Sequence, residues 1–113
     1  MTPRLTAKLL VSAIRKKAEA EGGHAMVLSK GDAMSGSVLL AIVGEGRTRQ
    51  LLERSLGLDD IYRWTEAGPE PGSDEPEFSD YLARRRNFDP DIWVVELDLA
   101  VDADWLEDFT GGL

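Results

Sequence analysis

The side chains able to do chemistry are few and scattered. There is one histidine, His24, and no cysteine in the 113 residues. Structural zinc is held by thiolates and imidazoles, so a lone imidazole among carboxylates does not build such a site. His24 opens an apolar run, and there it reads as a strand-end side chain bonded to backbone rather than as a catalytic base. Ser35, Ser37 and the many acids leave a Ser-His-Asp triad open in principle. No nucleophile elbow marks either serine, because Gly31 to Gly36 does not fit Gly-x-Ser-x-Gly.

Asp89, Asp91, Glu96 and Asp98 are the carboxylates that invite a metal-nuclease reading. Pro90-Asp91 followed by Glu96-x-Asp98 is superficially like the proline-aspartate and downstream Glu-x-Lys of metal nucleases, but the spacing is too short and the lysine is missing. On a strand, Asp91 and Glu96 point to opposite faces and stand about 17 Å apart. One magnesium ion, bound at about 2.1 Å, cannot join them. Glu96 and Asp98 share a face, which reads as solvated. Gly44-Glu45-Gly46-Arg47 lacks the lysine and hydroxyl of a phosphate loop and reads as a turn. No metal and no cofactor is assigned.

Arg84-Arg85-Arg86 is the remaining cluster. On a helix Arg85 leans toward the core, with Arg84 and Arg86 flanking it. One of these arginines is suited to a bidentate pair with Asp89, Asp91 or Glu96, holding the helix against the next strand. The competing reading is a site for an anion or an acidic peptide.

The elements that must position these residues can be read in order. Residues 5–21 have apolar positions at Leu10, Ala13, Ile14 and Ala18, the spacing of an amphipathic helix. Thr6 is a candidate N-cap and Gly22-Gly23 a stop. Arg15, Lys16 and Lys17 lie toward its C-terminal half, where cations complement the helix dipole. Two apolar runs, His24–Ser29 and Ser37–Val43, flank a Gly/Asp/Ser loop and read as an antiparallel hairpin of strands buried on both faces or nearly so. Residues 47–58 suit a helix by propensity, but they come after a Gly-Glu-Gly turn and are read as a strand. Residues 61–65 form a further strand with Tyr62 and Trp64 on one face. Three prolines and three acids make 67–76 a loop. A second helix spans about 76–87. Asp74 would cap it, Phe78, Tyr81, Leu82 and Arg85 would share one face, and Asn87 would take a left-handed cap.

Pro90 then fixes a turn. Ile92-Trp93-Val94-Val95 is an unbroken apolar run, so this strand should be covered on both faces. Trp93, Val95, Leu97 and Leu99 line one face, while the other starts apolar and ends acidic. Asp102 would cap a short terminal helix whose Trp105, Leu106 and Phe109 make an apolar patch, either docking surface or core. Clustered strands with short turns indicate a single α+β domain over residues 1–113. It should have a mostly antiparallel sheet of about five strands, an N-terminal helix, a second helix after the fourth strand and a short C-terminal helix, with the helices on one face.

Charge narrows the partners. The formal net charge is −8. Residues 1–30 carry six Lys/Arg against Glu19 and Glu21, a balance of +4, and the remainder carries seven against nineteen acids, a balance of −12. Such a body disfavours nucleic acid and anionic membrane, because phosphate contacts dominate that affinity. There is no apolar run near 18 residues and no signal-peptide pattern, so a cytoplasmic location is expected.

Thr2-Pro3-Arg4-Leu5, Lys30-Gly31-Asp32, Tyr81-Leu82-Ala83-Arg84 and above all Phe88-Asp89-Pro90-Asp91-Ile92-Trp93-Val94-Val95-Glu96 resemble one family. It is a family of short bacterial proteins of about this length, known only as a domain of unknown function. The likeness covers nearly the whole chain except Gly46 to Asp74. It implies a small bacterial domain and supplies no activity, cofactor or catalytic residue. The expectation is therefore a non-enzymatic module that binds another protein. The alternative is a small enzyme or binding domain for an anionic ligand. The candidate contact residues are Arg84, Arg86, Asp89, Asp91, Trp105 and Phe109.

Overall fold

The computed structural model describes residues 6–34, 36–100 and 105–106. Helix α1 spans Ala7–Ala20, followed by β1 (His24–Ser29), β2 (Val38–Gly44), β3 (Arg47–Leu56), β4 (Tyr62–Ala67), α2 (Glu75–Phe88) and β5 (Trp93–Asp98). The fold is α+β, with a mostly antiparallel five-stranded sheet in the order β1-β5-β2-β3-β4. Of the expected terminal helix, only Trp105 and Leu106 fall among the described residues; Asp102 and Phe109 lie outside them.

Local signals set the helix ends. The Thr6 hydroxyl accepts from the Leu9 amide at 3.3 Å, and the N–H groups of Gly22 and Gly23 donate to Glu19 and Ala18. That double closure is the Schellman stop, with Gly22 in the left-handed region. The Asp74 carboxylate accepts from Glu77 at 3.1 Å. Helix α2 ends on an extended Asp89, so the left-handed cap expected at Asn87 does not form: the proline at 90 draws the residue before it out of the helix instead.

Residues 47–56 are a strand because of their turn. Glu45 and Gly46 both have positive φ, 54° and 75°, between paired Gly44 and Arg47. Two such residues make the primed turn whose twist matches a hairpin, and it overrides the helical propensity of residues 47–56.

The expected hairpin and the expected placement of the helices both fail. The pair β1 and β2 is not a hairpin. Strand β5 lies between them, antiparallel to β1 and parallel to β2. β5, like β2, is apolar on both faces and takes an interior place in the sheet beside β2, and the 30–37 connection passes around its start. Nor do the helices share a face. Helix α1 covers Ala25, Val38, Leu40, Ile42, Val95 and Leu97 together with Trp105 and Leu106. Helix α2 places Phe78, Tyr81 and Leu82 over Leu39, Ala41, Leu51, Ile92 and Val94 on the opposite side. Alternation along β2 and β5 supplies apolar residues to both faces, so both need cover. Because α2 lies over the middle strands, β1 is not buried on both faces: Met26 remains 45% exposed.

Candidate functional site

The crossing of the 30–37 connection over β5 brings together two of the segments that carried the family likeness, Lys30-Gly31-Asp32 and 88–96. The Asp32 amide donates to the Asp91 carbonyl at 2.9 Å, the Trp93 indole N–H to the Asp32 carbonyl at 2.7 Å, and the Trp93 amide to the Ser37 carbonyl at 2.8 Å. Gly31 and Gly36 allow this approach. A Cβ on Gly31 would stand 2.1 Å from the Asp91 carbonyl oxygen, and one on Gly36 would stand 2.3 Å from it. The turn at 89–92 is also closed on itself. The Asp89 carboxylate accepts from the Asp91 amide at 3.1 Å, and the Asp89 carbonyl accepts from Ile92 at 3.2 Å. Asp89 therefore works as a turn former, and the segment reads as a clasp that fixes where β5 begins.

The arginine cluster divides into three roles. Arg85 makes the bidentate pair foreseen for one of the three, but with Glu53 on β3 rather than with Asp89, Asp91 or Glu96. Its two terminal nitrogens donate to the Glu53 carboxylate at 3.0 and 2.7 Å, and one also donates to the Tyr81 hydroxyl at 2.7 Å. The sequence-local partners lose because α2 crosses β3, which brings Glu53 under the helix. The Glu53 carboxylate raises the already high Arg85 pKa further, so this arginine stays charged and acts as a structural pin. Arg84 and Arg86 are both exposed. Two residues apart on a helix, they are separated by about 200° around its axis. They stand on opposite flanks of α2 and do not converge on one ligand.

Arg84 lines an open cleft of about 680 Å³ between α2 and the Gly68-Pro69 turn, with Glu77, Asp80, Tyr81, Ala83 and Asn87. One turn further along that flank is Phe88, 94% exposed. A helix read from sequence over about 76–87 stops one residue short of Phe88, which the structure includes in α2. Its helical phase, seven residues after Tyr81, was a usable signal for the flank it occupies. Its exposure depends on how far the sheet extends beneath α2.

Trp105 belongs to the α1-side core. It is 9% exposed, its indole N–H donates to the Glu21 carboxylate at 2.9 Å, and the Lys17 ammonium stands 4.9 Å from its ring centre. His24 is exposed at the head of β1, opposite Asp98 in register. Among the described residues no group of three or more His, Asp or Glu side chains is placed to hold a metal ion, and no helix is long and apolar enough to cross a membrane.

Fold and surface together define a small α+β domain with helices on both faces of one sheet and an aromatic-arginine flank beside an open cleft. The chain belongs to the family described as "Protein of unknown function (DUF1491)", whose model matches residues 5–107. It is similar to two solved structures, each described as a DUF1491 family protein from Caulobacter crescentus CB15. The crystal structure is 34% identical, covers 84% of this chain and 88% of its own, and superposes with a TM-score of 0.73. The NMR structure is 33% identical over 96% and 94% of the two chains, also at 0.73. A solution structure of an A. tumefaciens protein is 29% identical over 88% and 89%, with a TM-score of 0.73. No curated protein matches the chain.

Proposed function

We propose that this chain is a non-enzymatic, cytoplasmic protein-interaction domain whose contact surface is the Arg84/Phe88 flank of α2. The observation that carries the reading is Phe88, left almost wholly in water one helical turn beyond Arg84. Burying such a side chain is worth about 1.5–3 kcal/mol, which a partner would recover. Arginine and aromatic side chains are the types that anchor protein interfaces, and the neighbouring cleft offers a concave seat. The terminal patch, Trp105 with Phe109, is a weaker candidate for docking because Trp105 is core.

The anionic-ligand alternative has less support. Arg85 is engaged by Glu53, Arg84 and Arg86 face apart, and the cleft beside Arg84 also holds Glu77 and Asp80. An anion there would meet more acid than base.

A photo-reactive residue placed at position 88, in the full chain added to native lysate, should crosslink one protein. The crosslink should be lost when Arg84→Glu is added, with the melting temperature unchanged. If position 88 captures nothing beyond what the exposed loop position 70 captures, this surface is not the interface.

A further inference from the structure

The sequence treats the two free edges of the sheet differently. Strand β4 carries Arg63 and Glu66, and an Asp59–Arg63 ion pair of 2.7 Å stands at its entrance. Strand β1, His-Ala-Met-Val-Leu-Ser, has neither a formal charge nor a proline along its length. Charges and prolines are what keep an exposed edge from templating another strand. Among the described residues no strand pairs with the outer side of β1. A register shift between Val27 and Ser29 confines its regular portion to His24–Val27. Ala25 and Val27 face the α1-side core, so Met26 faces the other side, where α2 leaves it 45% exposed.

The two faces of this edge differ in charge: on the Met26 face β5 sets Glu96 opposite Met26 and Asp98 opposite His24, and the cations lie on the α1 side. Residues 6–30 hold Lys8, Arg15, Lys16, Lys17 and Lys30 against Glu19 and Glu21, a balance of +3 within a chain of −8. Lys17 reaches over Trp105. Arg15, two residues earlier, is about 200° away around α1; Lys8 shares its flank at i, i+7, and Glu19 follows Arg15 there at i, i+4. Both cations are exposed.

We infer that β1 accepts, as an added strand, an extended segment of a partner protein in which apolar and acidic residues alternate. Strand addition supplies backbone hydrogen bonds, and alternate side chains supply specificity. The apolar set extends the surface begun by Met26. The acidic set lies on the other face, toward the cations of α1. Pairing with a second copy of the chain would set two cationic α1 helices side by side, a like-charge juxtaposition that suppresses association. This edge is separate from the α2 flank, so the two readings stand or fall independently.

The test is to pan a displayed library of random eight-residue segments against the full chain at low salt. The enriched pool should alternate Val or Ile with Asp or Glu. A synthesised winner should slow amide hydrogen exchange in His24–Val27 and leave α2 unchanged. Met26→Glu should weaken the winner about tenfold or more, the effect of roughly one misplaced charge. Arg15→Glu, an exposed helix position that leaves the edge intact, should weaken it too and flatten its salt dependence. A basic or unpatterned pool, a winner that protects amides elsewhere, or equal binding to both variants would overturn the inference. So would a dimer of the chain alone with β1 amides already protected, which would assign the edge to a second copy.

Discussion

Gly31→Ala is the most informative single change in this chain. The new methyl carbon would stand 2.1 Å from the Asp91 carbonyl oxygen, 2.7 Å from the Ile92 carbonyl carbon and 2.7 Å from the Trp93 ring. Two of these atoms are backbone at the entrance to β5, an interior strand, so no side-chain rotation relieves the clash and the loop must lift. Lifting breaks the Asp32–Asp91 and Trp93–Asp32 hydrogen bonds, worth about 1 kcal/mol each, and leaves a buried indole N–H at a further cost of about 1–3 kcal/mol. Alanine's smaller unfolded-state entropy returns about 0.4–1 kcal/mol. The net expectation is a loss of about 2–4.5 kcal/mol, a large part of the roughly 5–15 kcal/mol that holds a domain of this size. Urea unfolding followed by tryptophan fluorescence measures it, with Gly44→Ala as the control. A Cβ at position 44 meets only the Arg49 side chain, at 3.4 and 3.8 Å, so that variant should stay within about 0.5 kcal/mol of wild type. If Gly31→Ala unfolds at the same urea concentration as the control, the clasp does not position β5 and the close approach at Gly31 carries no stability.

Three further outcomes are expected. A double-mutant cycle on Glu53→Ala and Arg85→Ala should give a coupling of about 1–3 kcal/mol, because the pair is bidentate and about three-quarters buried; a coupling below about 0.5 kcal/mol would demote it to an ordinary surface pair. Asp59 hydrogen-bonds to Arg63, and its carboxyl is held down to about 2. Its stabilising effect should be complete above the unfolded value near pH ~4 and fade as pH falls toward about 2. The stability gap between wild type and Asp59→Asn should therefore close over that window, and a gap that widens on acidification would contradict the assignment. Trp105→Ala should cost about 3–5 kcal/mol as a core truncation, and Trp105→Phe about 1 kcal/mol for the lost bond to Glu21; unchanged melting of Trp105→Ala would return that residue to the surface.

The sequence by itself determined the parts of this protein whose causes are local. Thr6 and Asp74 as caps, Gly22-Gly23 as a stop, Glu45-Gly46 as a hairpin turn and the two-faced apolar character of β5 all arise from interactions within a few residues of chain. The α+β class came from those elements in that order, and the segment leading into β5 was the strongest of those that carried the family likeness. Tertiary structure decided what depends on residues far apart in sequence. That β5 slides between β1 and β2, with His24 meeting Asp98, is a pairing across most of the chain, and sequence neighbours carry no trace of it. Arg85 chose Glu53, 32 residues away, over Asp89, Asp91 and Glu96, because the path of α2 over the sheet brings Glu53 under it. The same path left Phe88 in water and Met26 uncovered, and it set Arg84 apart from Arg86. Side-chain type fixes what a residue can do; which partners come within reach is fixed by how helices and strands bury the two apolar faces of one sheet.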